Sequence, residues 1–96
     1  MTRNIPTPQE PVREPSPDVL DFLKEVEMRK FGPDQRVSAT IRRQEDLVFV
    51  DVWSHTGRHI LTSENSLAQV LYLEEQIKDP QRRAAILNLI PGNLKA

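Results

Sequence analysis

The spacing of apolar residues changes from helical to alternating and back again along this chain. Val19, Phe22, Leu23 and Val26 recur at i, i+3, i+4 and i+7, the spacing of one helical face. Ser16 is a capping residue followed by a first-turn proline, Pro17. Asp18 and Asp21 complement the positive end of the helix, and Arg29 and Lys30 fall in its last turn. With Gly32-Pro33 as the stop, these signals predict a first helix over residues 17–30.

The period then drops to two. In RVSATIRR, Val37, Ala39 and Ile41 alternate with polar residues; in DLVFVDVW, Val48, Val50 and Val52 alternate with Leu47, Phe49, Asp51 and Trp53. A tight connection at Gln44-Glu45 would pair Ile41 with Val48, Ala39 with Val50 and Val37 with Val52, placing all six on one face. Ser54-His55-Thr56-Gly57-Arg58 reads as a second turn, with Gly57 free to take positive φ. A third strand is expected over about residues 59–62. A two-residue loop sets Ile60 across from Trp53; a three-residue loop with a bulge sets His59 there instead. The bulged form is preferred, because it puts Ile60 across from Val52 in the core.

Helical spacing resumes after TSENS, whose Asn65 and Ser63 are the favoured caps. Leu67, Val70, Leu71, Leu73 and Ile77 predict a second helix over residues 66–78. Asp79-Pro80 opens a third in the manner of Ser16-Pro17, and Pro91-Gly92 ends it. Ala84, Ala85, Ile86, Leu87, Leu89 and Ile90 make that helix apolar nearly all round, which implies burial on two sides or a place in an interface. The order is α-β-β-β-α-α. This is an α+β fold, a three-stranded antiparallel meander packed against helices.

Five prolines, at positions 6, 8, 11, 15 and 17, have few apolar residues between them. They predict a disordered proline-rich tail over residues 1–15, a single domain over 16–92 and a short tail over 93–96. Pro8-Gln9-Glu10-Pro11 fits the bare pattern of a docking ligand, but lacks clean basic flanks, and a passive leader is the preferred reading.

Composition narrows the chemistry. The chain has 96 residues, a net charge of −1 and no cysteine. A domain of this size buries only a modest core and has no room for a deep substrate cavity. Near-zero charge argues against a general nucleic-acid or membrane-surface binder. Without cysteine there are no disulfides, zinc–thiolate sites or thiol nucleophiles. The first residues have no apolar h-region, and no stretch approaches a membrane span; a cytoplasmic protein is the default expectation.

Candidate catalytic groups are few. His55 and His59 flank a glycine turn rather than a helix, and with Asp51 they lack a convincing fourth metal ligand. Gly32, Gly57 and Gly92 are scattered beside turns and form no phosphate loop. We expect no enzyme, no cofactor, no metal and no small-molecule substrate.

The outer face of the sheet is more informative. Opposite the valine face stand Arg36, Ser38, Thr40, Arg42, Leu47, Phe49, Asp51 and Trp53, with His59 and Leu61 under the bulged turn. Three readings follow: helices cover this face as ordinary core; it binds a protein or a second copy through Trp, Phe and Arg; or it stacks unpaired bases between arginines. Asp51 at its centre counts against phosphate. Arg82 and Arg83, placed where the helix dipole disfavours cations, could add a contact with an acidic partner. The expected function is a small non-catalytic adaptor or regulatory protein that binds another protein or itself, through Arg36, Arg42, Phe49, Trp53 and His59 with Arg82 and Arg83. Single-stranded nucleic-acid binding through the same face is the alternative.

Overall fold

A computed structural model describes residues 13–96. The elements run α1 (Pro17–Arg29), β1 (Val37–Gln44), β2 (Leu47–Ser54), β3 (His59–Ser66), α2 (Leu67–Gln76) and α3 (Pro80–Asn88). The fold is the expected α+β meander, with strand order β1-β2-β3 and both pairs antiparallel.

Helix α1 follows its local signals closely. The Ser16 hydroxyl accepts from the Val19 amide, and Pro17 occupies the first turn. Val19 and Phe22 are fully buried and Leu23 nearly so. They pack on Val48 and Val50 of the sheet and on Leu67, Val70 and Ile77 from α2 and its end. The helices therefore share one side of the sheet, above the face that carries Ala39, Ile41, Val48 and Val50. The tail expected over residues 1–15 falls mostly outside the described residues. Its last three residues are docked: Pro15 is buried, Arg13 lies 3.4 Å from Glu74, and Glu14 pairs with Arg43 at 3.1 Å.

The first hairpin turns one residue later than expected, at Glu45-Asp46, with Glu45 at φ 54, which shifts the pairing register by two residues. Ile41 therefore faces Val50 and Ala39 faces Val52, while Val37 faces Ser54 and Arg43 faces Val48. An even shift leaves every side chain on its predicted face. It also moves two acidic residues into the loop, brings Leu47 into the strand and sets Arg42 directly across from Phe49.

In the second hairpin His59 does oppose Trp53, through a bulge between Val52 and Trp53. The residue across from Val52 is Leu61, not Ile60, so Leu61 lies on the inner face and leaves the outer one. Ile60 is the extra residue of the bulge. Strand β3 runs to Ser66 rather than residue 62, because the polar run Thr62–Asn65 pairs with residues 48–51. Asn65 and Ser63 are thus strand residues, and the α2 cap is Ser66, whose hydroxyl accepts from the Gln69 amide at 3.1 Å.

Helix α3 buries none of its residues fully. Ile86 and Leu87 lie against the core cluster, and Leu89 is 82% exposed. Among the described residues, burial on two sides is thereby excluded. Beyond α3 the chain turns back across the end of α1. The Leu94 amide donates to the Lys30 carbonyl at 2.8 Å, and Gly92 lies against Gly32 so closely that a Cβ on Gly32 would meet the Gly92 carbonyl at 2.8 Å.

Candidate interface on the open sheet face

No helix among the described residues covers the outer face. Ser38, Thr40, Arg42, His59, Thr62 and Glu64 are all exposed on it, which removes the covered-core reading among the described residues. Leu47, Phe49 and Trp53 are half-buried, screened by their neighbours on the same sheet.

Across the three strands the face is built in rows. One row is Ser38–Trp53–His59, the next Thr40–Asp51–Thr62, and the third Arg42–Phe49–Glu64. In the first, the indole meets the His59 ring edge-on, centroids 5.1 Å apart, and its Nε1 donates to Thr40 Oγ1 at 2.9 Å. In the third, the Arg42 guanidinium lies over the Phe49 ring, 4.5 Å from its centroid, where the ring's negative face attracts a cation.

Asp51 ties the rows together. Its side chain is only 7% exposed and accepts from Arg42 Nε at 2.8 Å, Arg42 Nη2 at 3.2 Å and Thr62 Oγ1 at 2.6 Å. The Arg42 and Thr62 hydrogen bonds hold the carboxyl down at about 2, and the same pair raises the Arg42 guanidinium above its ordinary value. The single hydroxyl proton of Thr62 is committed to Asp51. The 2.8 Å bond between Thr62 Oγ1 and His59 Nε2 must then carry a proton on Nε2. His59 is thereby oriented as a donor, with its Nε2 3.6 Å from Asp51.

The expected residues do not all gather here. Arg42, Phe49, Trp53 and His59 form the network. Arg36, just before β1, lines a shallow depression with Ser38, Thr40, Trp53 and the turn residues His55 and Gly57. Arg82 and Arg83 lie on α3, apart from this face. Arg82 reaches Gln76 at 2.5 Å; Arg83 pairs with Asp18 at 3.2 Å and lies over the Phe22 ring. Arg83 thus resolves its unfavourable dipole position by pairing with the acidic first turn of α1. Sequence reasoning missed Thr62 and Glu64 as members of the face, because they fall beyond the misjudged bulge. His55 stays on the exposed turn.

Among the described residues, no three His, Cys, Asp or Glu side chains are grouped to hold a metal ion, and no helix is long and apolar enough to cross a membrane. No family model, curated protein or solved structure matches the chain.

Proposed function

We propose that the protein is a small non-catalytic adaptor or regulatory protein that binds another protein chain, a partner's or its own, through the outer face of its sheet. One observation carries this reading: an open face presents Phe49 and Trp53, each already locked in place by Arg42, His59 or Thr40. Aromatic and arginine side chains dominate protein interfaces, and side chains ordered before binding lose little entropy on contact.

Charge argues for protein over phosphate. Arg42, on the β1 edge of the face, already shares its charge with Asp51 in a two-point pair, and Glu64 adds a negative charge in the same row as Arg42. A phosphate-binding groove would need cations without such partners.

Affinity capture with the full chain, compared with a Phe49→Ser variant of unchanged fold, tests the reading. Protein partners, or the chain itself, retained by the wild type and lost with Phe49→Ser are the expected result. Identical capture by both proteins, or capture of nucleic acid that disappears with added salt, would overturn it.

A further inference from the structure

The charges of the outer face are divided by strand. Arg42 in β1, with Arg36 just before it, forms a basic edge, and β3 contributes Glu64 at the other edge. Between them β2 supplies the apolar column Leu47, Phe49 and Trp53. Glu64 is exposed and forms no ion pair among the described residues. In the Arg42–Phe49–Glu64 row, cation, aromatic ring and anion stand side by side across the sheet.

Such a row is self-complementary under one symmetry only. A twofold axis parallel to β2, lying between two facing sheets, carries each β1 over the partner's β3 and each β2 over the other β2. Arg42 then meets Glu64 twice, and the apolar columns meet along the middle. An axis across the strands would instead stack basic edge on basic edge and Glu64 on Glu64, which like charges oppose. Asp51 would approach its own copy in the favoured arrangement, but each is neutralised by its Arg42 pair and set below the surface.

We infer that this face is the seat of a homodimer in which two three-stranded sheets pack face to face about an axis parallel to β2, with Arg42 of each chain paired to Glu64 of the other. The inference rests on the protein-binding reading above and names its partner as a second copy. Sheets stacked this way sit about 10 Å apart with strands within about 30° of each other. Three strands of eight residues offer a footprint of roughly 14 by 26 Å. That is small beside the ~800 Å² per partner of a standard interface, the size of a weak, reversible contact, so the test covers a wide range of concentration.

Sedimentation equilibrium of the full chain, from about 1 µM to about 500 µM, is the test. It is repeated with Glu64→Lys and with Asp34→Lys, which makes the same charge change in the exposed loop before β1. We expect a monomer–dimer equilibrium weakened at least about tenfold by Glu64→Lys and little changed by Asp34→Lys. The cysteine-free chain also allows Leu47→Cys, placed on the axis, which a short bismaleimide should link to itself.

A chain that stays monomeric throughout overturns the inference, while the protein-binding reading still stands or falls on its own capture experiment. Equal weakening by both lysine variants means net charge alone is at work, and also overturns it. A dimer indifferent to Glu64→Lys but lost with Tyr72→Ser, a residue 68% exposed on α2, overturns the inference and moves self-association off the sheet.

Discussion

Arg42 and Asp51 grip each other at two points across neighbouring strands, at 2.8 and 3.2 Å, with the guanidinium half-exposed and the carboxylate buried beneath it. The pair cross-links β1 and β2 on a sheet face that no helix among the described residues covers. It also gives the outer face a pH signature.

The Asp51 carboxyl sits at about 2 in the folded chain, below its ordinary 3.8. A depressed carboxyl stabilises the fold at pH values above its unfolded value, and the contribution is lost as pH falls from about 4 towards about 2. Screening at the exposed side of Arg42 reduces the effect to about 1–2 kcal/mol. Urea unfolding of the wild type and Asp51→Asn should differ by at least that much at pH 7, and the gap should narrow below pH 4. A gap independent of pH would mean that Asp51 acts through shape and not through charge.

Phe22 and Trp53 should respond very differently to truncation. Phe22 is fully buried between α1 and the sheet, so Phe22→Ala should cost about 3–5 kcal/mol. Trp53 is half-buried on the open face and should cost about 2 kcal/mol or less as alanine, in proportion to the area it hides. Denaturant midpoints at unchanged m-value compare the two. A Trp53 cost equal to that of Phe22 would mean the face is covered in solution.

Two glycines with positive φ separate backbone strain from crowding. Gly32 (φ 80) and Gly57 (φ 87) both hold a conformation that side chains resist, but only Gly32 is crowded, by the Gly92 carbonyl. Gly57→Ala should cost about 1 kcal/mol. Gly32→Ala should cost more, and should release the segment of residues 92–96 from α1. Faster amide exchange at Leu94, whose N–H is bonded to Lys30, would report the release; equal costs at the two positions would show that the Gly32–Gly92 contact carries no stability.

Much of this fold can be read locally. Ser16, Pro17 and the Val19–Phe22–Leu23–Val26 stripe state α1 within a few residues, and the valine alternation states the inner face of the sheet. Alternation of period two specifies which face a residue takes, but not which partner it meets, so the β1–β2 register was legible only to within two residues. Cross-strand contacts of Arg42 with Phe49 and Asp51 favour the observed one, and they are not visible in either strand alone. The polar end of β3 escaped because Ser63–Asn65 carry no apolar rhythm on an uncovered edge. The same blindness hid Glu64 from the site, and the misplaced bulge put Thr62 on the wrong face, whereas Arg42, Phe49, Trp53 and His59 followed from alternation and the turn.

Trp53, the only tryptophan in the chain, reports on the proposed interface from inside it. Its emission should be followed as protein concentration rises, and separately on addition of a mixed-sequence single-stranded oligonucleotide at low and high salt. A binding face for protein chains predicts a half-exposed emission maximum that moves to the blue as the chain meets another copy and ignores the oligonucleotide. Quenching by the oligonucleotide that salt reverses would contradict the account and assign the face to nucleic acid.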